Sequence, residues 1–393
     1  MVKPLLNRAP RPLPPPDIAR SDTNAKTAQM VKLITEIGPD IPEISRRLGQ
    51  FKESVRYRYK TKLLEKGFAV QAIIDHEKLG LRRVIVVADF ADEFIPHVRA
   101  IALAMNQLCY VVLYARTIPD GRFIIHASVP EDYVDSFASL VATLREKGIL
   151  SGFEISTYQW FRNIPMRPEF YDFNTGRWDF DWSATSEMRR EAAGYLPSRR
   201  EKFDYADLLI LKELHIDATR SMTEIASKLK INYKKLAWHY QTHVLGRRLA
   251  KGYRINWMGT RYDTKIEKAL HRRHRIVFLS VILKSLDQVE RMVLMSELNK
   301  LPFLWAEAGG GNDYFAQFAF PVDFMTEGLQ FLQKILEPLR DRAKFYIEDA
   351  SDELAFTFSY QLYDQEAKKW LFDPAGVLAG FDTLLMKIKS GTS

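Results

Sequence analysis

The chain spells one pattern twice. Tyr171, Asp172, Trp178, Phe180 and Asp181 form Y-D-x5-W-x-F-D, and Tyr363, Asp364, Trp370, Phe372 and Asp373 repeat it. The displacement is constant, since 364 − 172 and 370 − 178 are each 192. A fixed offset across a tryptophan, two other aromatics and two acids implies a tandem duplication, and every element of one half should have a counterpart in the other.

Each half reads as two modules. The first is short and helical: Met30, Leu33, Ile34 and Ile37 share one face, Ile44 and Leu48 a second, and Val55, Tyr59 and Leu63 a third. The second half repeats this with Leu208, Leu211 and Leu214, then Met222, Ile225 and Leu229, then Leu236, Tyr240 and Val244. Ile44 and Ile225 are 181 apart, as are Tyr59 and Tyr240, whereas Gly67 and Gly252 are 185 apart, so the second copy has gained about one helical turn. Strand-like runs follow, 68–74 and 253–257, where a wing would stand. Three helices and a hairpin make a winged helix-turn-helix.

The second module alternates strand and helix in the order βαββαβ, first over 83–161 and again over 275–363, a ferredoxin-like unit. The expected fold class is therefore α+β, with two winged helix-turn-helix domains alternating with two βαββαβ ferredoxin-like domains as an internal pseudo-dimer. The expected boundaries are a flexible basic Pro-rich arm over 1–25, a winged helix over 26–78, a ferredoxin-like domain with its aromatic extension over 79–182, and a linker over 183–202. The second winged helix then spans 203–273 and the second ferredoxin-like domain 274–393. The repeated aromatic element should pack on an open sheet or edge.

Charge and cysteine content narrow the setting. With 57 Lys+Arg against 49 Asp+Glu the chain is basic, as a polyanion partner would require. The single cysteine, Cys109, excludes an intramolecular disulfide and any multi-cysteine metal site, which points to a reducing, cytoplasmic location. No apolar run approaches the roughly 18–20 residues of a spanning helix.

This plan resembles the Lrp/AsnC family of transcriptional regulators, doubled. Residues 204–211 open like the family's first helix, Met222-Thr223-Glu224-Ile225-Ala226-Ser227-Lys228-Leu229 is similar to its second, and Gly309-Gly310-Gly311-Asn312-Asp313-Tyr314 resembles the glycine-aspartate turn of its effector domain. The resemblance implies a cytoplasmic, nucleoid-associated regulator of archaeal type that binds double-stranded DNA, takes an amino acid or other small effector at Gly309, Gly311 and Asp313, and assembles into a homo-oligomer. The first half departs from the pattern, with Pro119-Asp120-Gly121 in place of the glycine-rich turn.

With the apolar face of each third helix buried, Ser54, Arg56, Tyr57, Arg58, Lys60 and Lys62 are left for DNA in the first half. Lys234, Lys235, Trp238, His239, Gln241, Thr242 and His243 are left in the second. Arg247 and Arg248, with Arg46, Arg47, Lys251, Arg254, Arg272 and Arg273, would add phosphate contacts. Two different recognition helices predict an asymmetric site.

Other chemistry is weaker. Siroheme decarboxylases share the two-module plan, but the corresponding hairpins, 113–127 and 305–319, offer His126 alone. His239 and His243 have the i, i+4 spacing of metal ligands, without HExxH or an evident third ligand. The glycine run precedes a strand and so lacks the helix N-terminus of a phosphate loop. The expectation is a DNA-binding protein with no enzymatic activity, no cofactor and no metal, or else a protein-interaction scaffold that keeps its winged helices.

Overall fold

A computed structural model describes residues 16–186, 197–257 and 276–390. Arg189, Arg190, Arg272 and Arg273 lie outside these residues, as does most of the Pro-rich arm. Residues 16–25, expected in that arm, instead begin the first helix, α1 (Pro16–Ile37). Asn24 anchors this helix. Its amide donates to the Tyr171 carbonyl at 3.3 Å and its carbonyl accepts from the Phe173 N–H at 2.8 Å, so the helix is tied to the aromatic hairpin.

The helical modules form as the apolar spacing predicts. In the first, α2 (Ile41–Leu48) and α3 (Lys52–Arg58) follow α1, and α3 runs on as a π-helical turn, Tyr59–Leu63. Asp40 caps α2, accepting from the Glu43 N–H, and Pro42 sits in the first turn where it displaces no hydrogen bond.

The wings differ from expectation. Among the described residues no separate hairpin stands on each module; β1 (Ala69–Ile74) pairs antiparallel with β9 (Ala250–Asn256) of the other half, Ala69 facing Asn256 and Ile73 facing Gly252. Every residue of β1 is buried. A strand buried along its whole length cannot project into solvent, so the two expected wings become one shared ribbon.

The remaining major strands form one antiparallel sheet of nine, in the order β5-β2-β4-β3-β13-β10-β12-β11-β6. The first four are β2 (Leu81–Phe90), β3 (Val111–Ile118), β4 (Phe123–Pro130) and β5 (Leu150–Tyr158). Their counterparts are β10 (Ile276–Leu283), β11 (Leu304–Gly310), β12 (Asp313–Pro321) and β13 (Ala343–Ala355), in the same ferredoxin-like order. The halves join where β3 pairs with β13.

β5 and β6 (Trp160–Asn163) are consecutive in the chain yet occupy opposite ends of the sheet. One residue, Gln159, spans from one edge to the other, and its N–H donates to the Gly309 carbonyl at 2.9 Å. The sheet is therefore closed into a barrel. Inward positions alternate as a strand requires: Ile85 and Val87 on β2, Ile124 on β4, Phe315 on β12 and Tyr346 on β13 fill the interior. The helices α4 (Val98–Leu108), α5 (Val134–Glu146), α9 (Gln288–Leu298) and α10 (Met325–Leu336) carry the outer core.

The repeated aromatic elements are two small hairpins with identical registers, Tyr171 opposite Trp178 and Tyr363 opposite Trp370. Each braces the other half. Trp178 packs edge-on against Trp257 and Phe303, while Phe372 lies against Tyr110, Tyr133 and Phe137. No helix among the described residues is long and apolar enough to cross a membrane.

Candidate active site at the barrel mouth

The inward alternation that fills the barrel with apolar side chains turns polar at one end. Two residues before Ile85 on β2 comes Arg83, two after Ile124 on β4 comes His126, and two after Phe315 on β12 comes Gln317. These face a cavity enclosing about 100 Å³. Its roof is the shared ribbon, which contributes Gln71 from β1 and Arg254 and Asn256 from β9. His76 enters from the turn after β1, His215 from the end of α6 (Tyr205–Ile216), and Phe161 and Asn163 from β6.

Both guanidinium groups lie over aromatic rings. Arg83 lies 3.9 Å from the centre of the Phe161 ring and Arg254 lies 4.7 Å from that of Trp305. Arg254 is further fixed by Gln71 and Asn163, each accepting at 3.1 Å. Arg83 is only 6% exposed, and its Nε, with His76 Nδ1 and His215 Nδ1, has no protein hydrogen-bond partner. Buried polar atoms in this state are costly unless something else satisfies them.

The electrostatics favour an anion. Burial drives His76 well below the usual imidazole range, and the nearby Arg83, His215 and Lys251 push it the same way. His215 is pushed down to about 3 by burial and by Arg254 and Arg83. Burial brings even Arg83 down to about 9, against the support of Glu77. Neutral imidazoles thus stand beside two crowded guanidinium groups, a set of donors that suits a carboxylate.

Arg254, expected as a phosphate contact beside a wing, is instead turned into this cavity. Lys251 is likewise directed inward, 3.9 Å from Asp75 and 3.7 Å from Glu77. The histidines do not come from the two hairpins where they were sought, since only His126 does; His76 and His215 arrive from the helical modules. Arg83 was hidden in a β-branched run, and its inward register with Ile85 and Val87 was the available signal.

The residues expected at DNA divide. Ser54, Arg56, Tyr57 and Lys60 are exposed on one third helix; Lys234, Lys235 and Trp238 are exposed on α8 (Tyr233–His239), with Gln241, Thr242 and Arg248 beyond it. Arg58, Lys62 and Arg247 are half-buried, the first two donating to Gln50 and Asn174. His239 and His243, expected on the flanks of that surface, are buried against Asp207. The rings turn inward because the Asp207 carboxylate is there to meet their Nδ1 nitrogens, each at 2.9 Å.

The expected effector turn also has a packing role. A side chain at Gly309 would meet the Trp160 ring at 2.5 Å and one at Gly310 the backbone nitrogen of Gln159 at 2.5 Å, so these glycines admit the closing strand. Gly311 adopts φ +55° at the turn itself. Asp313 pairs with Lys284 at 2.6 Å.

No protein-family profile matches the chain, and no curated protein does. Among solved structures, siroheme decarboxylase NirDL matches over 91% of this chain and 99% of its own, with TM-score 0.53 and 10% identity. The same enzyme in co-complex with an iron-uroporphyrin III analogue matches over 95% of this chain and 100% of its own, with TM-score 0.51 and 8% identity. PH0061 matches over only 34% of this chain, with TM-score 0.25. At such identities the likeness to NirDL is one of fold. It nonetheless overturns the expectation of a protein without enzymatic activity, because the structures that match this chain nearly end to end are those of an enzyme.

Proposed function

We propose that this protein is an enzyme of the siroheme-decarboxylase type, binding a carboxylate side arm of a tetrapyrrole at the barrel mouth. One observation carries the reading: Arg83 and Arg254, each lying over an aromatic ring, face a single cavity in a chain with the NirDL fold. The enclosed 100 Å³ is well below the roughly 300–1,000 Å³ of pockets that surround a whole drug-sized ligand. It takes an arm, and the macrocycle lies outside it.

Loss of carbon dioxide from an acetate arm breaks the bond between the carboxyl carbon and the methylene. The electron pair remains on the methylene carbon, and one added proton completes a methyl group. Ion pairing with Arg83 and Arg254 orients the arm but stabilises the starting carboxylate, so acceleration must come from the proton. Burial, with Arg83 beside both and Arg254 beside His215, shifts His76 and His215 towards the neutral form. A bound carboxylate offsets those charges and raises both histidines, so a proton is recruited when substrate arrives. Anaerobic incubation with siroheme, followed by mass spectrometry of the tetrapyrrole, tests this. Products shortened by carbon dioxide are expected; siroheme neither bound nor altered would sink the reading.

Two features bear on the rest of the chain. The repeated strand order and the matching aromatic hairpins support a tandem duplication whose halves form one pseudo-dimer. The exposed basic and aromatic face of the third helices, Arg56, Tyr57 and Lys60 in one half and Lys234, Lys235 and Trp238 in the other, supports DNA contact as a second reading. Mobility shifts over a salt series test it, with retention expected to fall steeply as salt rises.

A further inference from the structure

Two carboxylates on α6 are fully buried, and they are satisfied in different ways. Glu213 is met by three permanent cations, Lys212 at 2.7 Å, Arg220 at 2.5 Å and Lys228 at 2.8 Å. Asp207, six residues earlier, makes its ion-pair contacts with imidazoles: His239 Nδ1 lies 2.9 Å from Oδ1 and His243 Nδ1 lies 2.9 Å from Oδ2. A carboxylate with no exposure to solvent needs a dependable cation beside it.

The geometry points to a divalent metal ion, and we propose that Asp204, Asp207, His239 and His243 form a zinc-type site within the second helical module. Asp204 is the N-cap of α6, with an oxygen 3.5 Å from His239 Nδ1. One ligand atom from each of the four residues lies within 4.8 Å of all the others. In a tetrahedral site with bonds of about 2.0–2.1 Å, neighbouring ligand atoms are about 3.3–3.4 Å apart; the His239–Asp207, His243–Asp207 and His239–Asp204 contacts of 2.9–3.5 Å are already close to that, and the remaining pairs, within 4.8 Å, would draw together around the ion. Two nitrogens and two oxygens suit zinc in tetrahedral geometry. Among the described residues no second group of this kind occurs.

The helices supply the ligands in register. His239 ends α8 and His243 follows four residues later, on the same face of the π-helical continuation Tyr240–Leu245. Asp204 and Asp207 are three apart in a capping box, which already fixes their side chains. At the matching offset of 181 the first half has Arg58 and Lys62 in place of the histidines, fixed cations that would repel a metal. The site therefore belongs to one half only. A metal held there would staple the first helix of the second module to its exposed third helix.

Trp238 reports on it, since its ring lies 4.9 Å from that of His239 and 4.7 Å from that of His243. The full chain, stripped with chelator, should be titrated with Zn²⁺ by calorimetry and with Co²⁺ by visible absorption and tryptophan fluorescence. One equivalent is expected, with the intense absorption of tetrahedral cobalt, quenching that is lost in Trp238→Phe, and displacement by zinc. His243→Gln should weaken zinc binding at least about 100-fold, given that losing even an outer-shell partner costs about 10- to 100-fold. Asp204→Asn, at the partly exposed rim, provides the same test with less demand on folding, and His97→Gln serves as a control. Failure of the wild-type chain to take up stoichiometric metal, or uptake unchanged in both His243→Gln and Asp204→Asn, would overturn the assignment.

Discussion

The indole Nε1 of Trp370 donates to the carbonyl oxygen of Leu79 at 2.9 Å, across 291 residues of sequence. Trp370 is 3% exposed and packs edge-on to Tyr110 and Tyr363. The repeated aromatic hairpin is thus a brace that fastens the end of one half to the start of the barrel of the other.

Replacing Trp370 with Phe keeps most of the packing and leaves the Leu79 carbonyl unpaired. Stability should fall by about 1–3 kcal/mol in urea unfolding. Unchanged stability would mean that the brace bears no strain-free bond worth keeping.

At the barrel seam, Gly310→Ala puts a methyl group 2.5 Å from the backbone nitrogen of Gln159, which cannot swing aside. A loss of about 1–3 kcal/mol is expected. Gly311→Ala meets nothing within 4 Å and suffers only from its φ of +55°, about 1 kcal/mol. Thermal denaturation of the two variants should rank them in that order.

Arg83→Met separates binding from stability. The buried guanidinium is taken from water at a cost that Met does not incur, so the fold should lose no more than about 1 kcal/mol. Siroheme binding, followed by absorption titration, should weaken by about 2–5 kcal/mol because the carboxylate loses a buried partner. Binding unaffected by this change would remove Arg83 from the site.

Acidification should destabilise the fold before carboxylates begin to titrate. His76 and His215 are depressed in the folded state, His215 to about 3, from an ordinary value of 6.5. Between those values the unfolded chain binds more protons than the folded one, so stability rises with pH and is lost as pH falls from about 6.5. Urea midpoints at pH 7 and pH 5 should differ, and His215→Asn should shrink the difference. Equal midpoints would contradict buried, neutral histidines.

Much of this architecture was legible in residue spacing. The helical faces of Ile44, Val55 and Tyr59 and most of the alternating strands follow periods set by local geometry and appear where the pattern places them, but the last strand of the second half, expected over 355–363, runs instead over Ala343–Ala355. The shared ribbon was not legible, because β1 and β9 are each good strands and nothing local says which partner a strand will take. Nor was the cavity, whose residues are scattered from Gln71 to Phe358 and meet only when the barrel closes. Arg254 carried the right chemistry with the wrong address. His239 and His243 were noticed for their spacing, but their carboxylate partner is 32 and 36 residues away on another helix.

Gln159 carries the chain from one edge of the sheet to the other, and the cavity takes Arg83 from one half and Arg254 from the other. Were the halves separate polypeptides, each would have to find its mate before any binding site existed, and the number of sites would fall with the square of dilution. Joined in one chain, they meet at a high effective concentration that dilution cannot alter. Activity per molecule should accordingly be independent of protein concentration, down to the lowest level at which the assay still reads.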